Sequence, residues 1–196
     1  MTELFAALPD DDAALARLHG RLVEAAAAEG ILDVAYRTVD TPVGTLLLAT
    51  TDRGLVRVAY PGQGHDAALA QLAETVSPRV LHAPRRLDAV ARQLDEYFGR
   101  RRRVFDVPLD LRLAKGFRRE VLDHLVDIPY GATESYSDVA VAAGSPRAVR
   151  AVGTACATNP VPVVLPCHRV VRADGSAGQY AGGADAKRAL LSLEAA

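Results

Sequence analysis

With 196 residues, 49% of them apolar, the chain is long enough to bury one generous core or two modest ones, which excludes disorder as its main state. No apolar run reaches the ~18 residues that a membrane span requires, and the start, with Glu3, Asp10, Asp11 and Asp12, lacks the positive charge of a secretory leader, so a cytoplasmic protein is expected. The formal net charge of −1 excludes a broadly basic coat for nucleic acid, and any contact with DNA must be local.

In chain order, "DAALARLHGRLVEAAAAE", residues 12–29, is rich in helix formers, begins with acidic residues and stops at Gly30, which predicts a helix. "VAYRTVDTPVGTLLLATTDRGLVRVAY", residues 34–60, alternates or runs apolar and is broken by turns at Thr41-Pro42 and Asp52-Arg53-Gly54, the pattern of successive antiparallel strands. Residues 66–75 and 84–99 read as helices, and the arginines at 100–103 as a solvated loop. "VPLDL", residues 107–111, reads as a short strand or crossing linker, and a domain boundary is expected there, giving domains at 1–106 and 107–196. Residues 111–196 hold ten Lys and Arg against eight Asp and Glu, whereas residues 1–110 hold thirteen against sixteen, so the carboxyl half is the one suited to a polyanion.

Within that half, Phe117, Val121, Leu122, Leu125 and Ile128 share one face of a predicted helix over 113–128, which Pro129-Tyr130-Gly131 breaks. Ser135 with Asp138 three residues on makes a capping-box-like start for a helix stopped by Gly144. Ser145-Pro146 then offers an N-cap and a first-turn proline for "PRAVRAVGTACAT". Two short helices joined by a Gly-Ser turn form a helix-turn-helix candidate, although such pairs also pack as ordinary core. Arg147 and Arg150 alternate on the second helix with the small residues Ala148, Ala151, Gly153 and Ala155, which allow close approach of another surface.

Asn159-Pro160 ends that helix and leads into "NPVPVVLPCHRVV". Pro160, Pro162 and Pro166 fix the path to Cys167, which suits a group that must meet a substrate in one geometry. His168 is a candidate base for the thiol, since the thiolate is the nucleophile. Neighbouring side chains on an extended strand point apart, so a bridging water or a local bend is expected between the two. The same pair also fits a structural buried cysteine. The two cysteines, Cys156 and Cys167, make no disulfide framework, and the five scattered histidines form no zinc-ligand spacing, so neither metal nor cofactor is expected.

The segment "GSPRAVRAVGTACATNPVPVVLPCHRVVRADG", with "IPYGATESY" before it and "GQYAGGADAKRALLSLE" after it, closely resembles the O6-alkylguanine-DNA alkyltransferases, also called methylated-DNA–protein-cysteine methyltransferases. The Pro-Cys-His-Arg core flanked by Asn-Pro-x-Pro and a later Gly-Gly is specific to that family, and the likeness is strong over residues 107–196. It implies an α+β protein, a ribonuclease-H-like amino-terminal α/β domain followed by a winged helix-turn-helix. It also implies DNA repair by single-turnover transfer of an alkyl group from O6-alkylguanine, with O4-alkylthymine as a further candidate, to the protein's own cysteine. The base is flipped out of the duplex because stacking blocks in-line attack at the alkyl carbon.

By the same resemblance Cys167 is the acceptor, His168 its base through water, and Glu194 the carboxylate that orients the histidine, a Cys-His-acid arrangement. Tyr136 contacts the guanine ring nitrogen, and Asn159 holds the turn before the active-site strand. Arg150 takes the place of the flipped base, within a minor-groove surface that includes Ser145, Arg147, Ala148, Ala151 and Gly153. Tyr180 walls the pocket, Gly182 and Gly183 permit its tight loop, and the carbonyls of Cys167 and Val170 accept from the guanine amine. Ala181 stands where many relatives carry a polar residue, leaving its backbone N–H for O6 and a wider pocket. The expected partner is double-stranded DNA containing alkylated guanine, approached by a monomer with no membrane contact. A relative that only binds such DNA is disfavoured by the presence of Cys167. A helix-turn-helix regulator with a sensing cysteine is disfavoured by the lack of an evident effector domain.

Overall fold

The computed structural model describes residues 12–195; Glu3, Asp10 and Asp11 of the acidic start lie outside them. Helix α1 (Asp12–Ala28) ends as expected near Gly30, which takes the left-handed φ of 66°. Strands β1 (Val34–Val39), β2 (Leu46–Thr51) and β3 (Gly54–Ala59) form the antiparallel meander, with Ala35 opposite Thr50 and Val39 opposite Leu46. Helix α2 (His65–Thr75) then carries the chain back so that β4 (Val80–His82) pairs parallel with β1, giving the order β3-β2-β1-β4. Every residue of β2 is buried, because the sheet is covered on both faces. Leu72 and Ala68 of α2 pack on Ala49, Val56, Leu47 and Ala59, while Leu46, Leu48 and Val58 face Leu94 and Tyr97 of α3 (Asp88–Phe98).

The helix expected over 84–99 is divided, because Pro84–Leu87 forms a 3-10 turn before α3 begins. The arginine loop after it folds back on the helix through Arg101–Asp95 and Arg102–Glu96 ion pairs, both at 2.7 Å. Residues 107–111 lie along β3: Leu55 N–H donates to the Pro108 carbonyl at 2.8 Å and Asp110 N–H to the Leu55 carbonyl at 2.9 Å. A side chain at Gly54 would run into that Pro108 carbonyl, so the approach requires glycine.

The carboxyl half consists of α4 (Phe117–Leu125), β5 (Glu134–Ser135), α5 (Tyr136–Ala142), α6 (Val149–Ala157), β6 (Val170–Val171) and α7 (Gly183–Glu194). Helix α4 is shorter than the 113–128 expected. Gly116, at φ 56° and ψ −142°, is not helical, and the helix gives way to a turn at Val126 and Asp127, ahead of Pro129, which disfavours the α region for the residue before it. The capping box at α5 forms, with Asp138 N–H donating to Ser135 Oγ at 3.2 Å and Ser135 N–H to Asp138 Oδ2 at 3.1 Å. The N-cap assigned to Ser145 does not form. Ser145–Ala148 closes a turn through Ala148 N–H to the Ser145 carbonyl at 2.8 Å, and Ala148 sits at φ −90°, ψ 27°, so α6 starts at Val149 with no side-chain cap. One apolar core runs through both halves, joining Leu46, Leu94 and Tyr97 to Val121, Val152, Cys167 and Leu190.

Candidate functional site

From Asn159 to Val171 every residue is buried, which is uncommon for a connecting segment, because its backbone polar groups must then find partners inside the protein. They do. Val58 N–H on β3 donates to the Pro160 carbonyl at 2.8 Å, and Leu165 N–H reaches back to the Val161 carbonyl at 2.9 Å. The tight turn between them holds Val163 at φ 74°, a strained conformation for a β-branched residue, worth ~1–3 kcal/mol and kept only where the surroundings enforce it. Asn159 supplies much of that enforcement: its Oδ1 accepts from Val161 N–H at 3.0 Å, and its Nδ2 donates to the Leu165 carbonyl at 2.9 Å and to Cys167 Sγ at 3.1 Å.

Cys167, His168 and Arg169 form a 3-10 turn, not the extended strand expected, so the chain bends between the thiol and the imidazole. Cys167 is wholly buried, and burial pushes its thiol up to about 11 against the opposing pull of the Asn159 hydrogen bond and the Lys187 charge. The resting group is therefore a neutral thiol. His168 is equally buried, and burial lowers its basicity, while the Glu194 hydrogen bond and charge oppose that shift. Its Nε2 lies 2.8 Å from Glu194 Oε1, whereas Nδ1 is buried without a partner among the described residues.

Glu194, near the end of α7, is the most heavily partnered group of the site. Oε1 receives Tyr97 Oη at 2.6 Å, His168 Nε2 at 2.8 Å and an Arg169 Nη2 at 3.0 Å. Oε2 receives Arg169 Nε at 2.9 Å and Gly131 N–H at 3.1 Å. Burial alone would raise this carboxyl, but the hydrogen bonds from His168 and Arg169 outweigh it and hold Glu194 well below the usual carboxylate range. The Arg169 guanidinium also donates to the Ile128 carbonyl at 2.6 Å.

Around this centre Tyr180 is buried, its hydroxyl 3.0 Å from that of Tyr60 and its ring edge-on to His168 at 6.2 Å. A side chain at Gly182 would meet the Tyr60 ring and Gly183 takes φ 83°, so both glycines of the loop have a steric reason. Ala181 is half-buried. The carbonyls expected to face the substrate are already engaged: Cys167 O accepts from Val170 N–H, and Val170 O from Lys187 Nζ at 2.6 Å. Each retains a second lone pair.

On the outer side, Arg150, Gly153 and Thr154 of α6 border a cleft of about 410 Å³ with Tyr136, Arg172 and Gln179. Arg147, Arg150 and Ala151 are exposed, Ser145, Ala148 and Gly153 are partly so, and nothing stands within 4 Å of a Cβ built on Gly153. Tyr136 is half-buried, and burial with the nearby cysteines raises its phenol to about 12, so it is a proton donor at neutral pH. The structure thus buries two hydrogen-bonded pairs on adjacent residues, Asn159 with Cys167 and His168 with Glu194, and sets Arg150 and Gly153 beside an open cleft that Ser145, Arg147, Ala148 and Ala151 do not line. Sequence reasoning missed Tyr97, Arg169 and Lys187. Lys187 is a fully buried lysine whose ammonium also lies 5.8 Å over the Tyr136 ring.

A family model of the ribonuclease-like domain of 6-O-methylguanine DNA methyltransferase matches residues 34–111, and one of the DNA binding domain matches residues 116–196. The methylated-DNA–protein-cysteine methyltransferase of Mycolicibacterium paratuberculosis is 40% identical over 161 residues, covering 82% of this chain and 92% of its own. The bifunctional transcriptional activator/DNA repair enzyme Ada of Escherichia coli is 36% identical, over 84% of this chain but 46% of its own length. Among solved structures, Mycobacterium tuberculosis O6-methylguanine methyltransferase superposes with a TM-score of 0.73 at 38% identity, over 83% of this chain and 93% of its own. The complex of the M. tuberculosis protein with DNA gives a TM-score of 0.71 at 38% identity, over 82% and 92%.

Proposed function

The chain belongs to the 6-O-methylguanine DNA methyltransferase family, and from that premise we propose how its residues carry out the repair. It is a DNA repair enzyme that transfers an alkyl group from O6-alkylguanine to one of its own cysteines. We assign that role to Cys167, with the two domains meeting near residue 106. The observation that carries the assignment is the state of His168: Glu194 holds Nε2, while Nδ1, on the residue next to the thiol, is buried with no partner among the described residues. A water in contact with that nitrogen relays the thiol proton to His168. The sulfur then bonds to the alkyl carbon as the C–O6 bond breaks, its electron pair goes to the guanine, and the Tyr136 hydroxyl gives its proton to the ring nitrogen and regains one from solvent, while His168 releases to solvent the proton it took from the thiol. The product is a stable thioether, so each molecule acts once.

Because Cys167 is wholly buried, a base still in the stack has no route to it, which favours flipping. Arg150, exposed at the lip of the cleft, fills the vacated place in the duplex, with α6 laid in the minor groove and the small Ala151 and Gly153 allowing its approach. Ser145, Arg147 and Ala148 flank that contact. Tyr180, Ala181, Gly182 and Gly183 shape the alkyl pocket, and Ala181 favours bulkier groups, with O4-alkylthymine as a further substrate. The protein works as a cytoplasmic monomer in this reading. Intact mass after incubation with duplex DNA containing O6-methylguanine tests it. A stoichiometric gain of one methyl on the wild type, absent in Cys167→Ser, is expected, and DNA binding without any gain would overturn it.

A further inference from the structure

We propose that Tyr97, on α3 of the amino-terminal half, is a positioning residue for the transfer: its hydroxyl donates to the Glu194 oxygen that also receives His168, and so limits how strongly Glu194 draws on the imidazole. The inference rests on the roles given above to Cys167 and His168. Tyr97 is fully buried, and its ring is fixed by aromatic neighbours, Phe98 at 5.3 Å, Phe105 at 5.2 Å and Tyr130 at 6.1 Å. A phenylalanine would fill that space. The hydroxyl must be desolvated to stand there, and what it meets is Glu194 Oε1 at 2.6 Å, with His168 Nε2 farther away at 3.4 Å. The phenol is a fixed donor, since burial and the charge of Glu194 both oppose its ionisation.

Oε1 is therefore shared between Tyr97, His168 and Arg169. Each donor that neutralises part of its charge leaves less to stabilise an imidazolium, so Tyr97 keeps His168 neutral and available as a base at lower pH. The other groups facing this pair are Lys187 on α7 and Arg169 on the turn itself, both opposing protonation of His168, together with Tyr180, Cys167 and the Gly131 N–H on Glu194. Of these, only Tyr97 and Tyr180 are neutral side-chain hydroxyls, and Tyr180 spends its hydroxyl on Tyr60. The amino-terminal half thus supplies part of the proton relay as well as a scaffold for it.

The test is the pH dependence of single-turnover methyl transfer in the wild type, in Tyr97→Phe, in a protein with 3-fluorotyrosine placed at position 97, and in Leu72→Val as a packing control, since Leu72 is buried on α2 in a cluster that does not include Tyr97. The titration of the His168 ring is followed in parallel by NMR. In Tyr97→Phe the acid limb moves to higher pH, and below it transfer is about tenfold slower, the size of one charge-assisted hydrogen bond. The more acidic fluorophenol donates more strongly in the same shape and moves the limb to lower pH. Leu72→Val lowers the melting temperature and leaves the limb in place. An unmoved limb in both Tyr97 variants, or an equal shift in Leu72→Val, overturns the proposal. If Tyr97→Phe does not fold, the fluorotyrosine protein decides. If the wild type itself transfers no methyl, it is the assignment of Cys167 that fails, and the His168 titration still reads the effect of Tyr97.

Discussion

The back of the site and its front are built on opposite plans. Behind Cys167, one carboxylate, Glu194, receives hydrogen bonds from Tyr97, His168, Arg169 and Gly131, and all three of those side chains are buried. In front, Arg150 extends into solvent beside a cleft, Arg147 is exposed on the turn before α6, and α6 begins without a side-chain cap. The difference separates two tasks. Proton transfer requires groups whose positions are settled before the substrate arrives, because reorganisation during reaction raises the barrier. A surface that receives a duplex keeps its charges hydrated until the phosphates and bases replace the water.

If the back is as over-determined as it looks, removing one partner there gives the largest change in stability. Arg169→Met leaves the buried Glu194 carboxylate without its cationic partner, since Arg169 and Glu194 side chains are 8% and 1% exposed. Unfolding in urea should show a loss of about 3–5 kcal/mol. Most of that loss is the penalty of an uncompensated charge, so adding Glu194→Leu to Arg169→Met should recover part of it. A loss below about 1 kcal/mol in the single variant would mean that the network at the back contributes little to the fold.

The front should respond in the opposite way. Arg150→Ala removes an exposed charge with no hydrogen-bond partner among the described residues, so stability should stay within about 0.5 kcal/mol of the wild type. On the role proposed for Arg150, transfer from duplex DNA should slow by at least about tenfold, because unstacking a base costs a few kcal/mol and the group assigned to fill the gap is gone. Reaction with free O6-benzylguanine, which needs no flipping, should keep its rate. Equal slowing on both substrates would place Arg150 in the chemistry instead of at the DNA.

The two regions also differed in how far they could be read from the sequence. Asn159, the prolines, Cys167 and His168 were legible because they are contiguous, and a turn made of neighbours is a local property. The meander of β1, β2 and β3 was legible from alternation and turn residues. Tyr97 was not, because it occupies the core face of α3 with Val90 and Leu94 at helical spacing, and nothing local distinguishes its hydroxyl from a ring that only fills space. It meets His168 across 71 residues of chain. Arg169 lay inside the motif without a visible partner, since both Ile128 and Glu194 are far away in sequence. Lys187 reads as a solvated helix charge until α7 is seen to turn it towards Val170. At the front, the start of α6 was misplaced because Ser145-Pro146 satisfies the rules for a helix start and for a turn equally well, and the turn is what forms.

The smallest expected effect sharpens the contrast where front and back meet. Ser135 caps α5, and the next residue, Tyr136, borders the cleft; its strand partner is Val171, just beyond the Cys167 turn, with Glu134 opposite Val170. Ser135→Ala deletes the cap hydrogen bond to Asp138 N–H and leaves the strand pairing intact, which should cost about 1 kcal/mol. For a chain of this length that corresponds to a drop of roughly 2–4 °C in melting temperature. If Tyr136 is held mainly by the local cap, transfer from free O6-benzylguanine should fall in step with the loss of helix. The geometry favours the other outcome. The hydroxyl of Tyr136 would meet any side chain placed at Gly178, and the ammonium of the buried Lys187 lies over its ring, so it is held from the back as well. The variant should melt earlier and still transfer from the free base at a rate within about twofold of the wild type, because a cap contributes to the stability of a helix and not to the placement of a side chain already packed against buried neighbours.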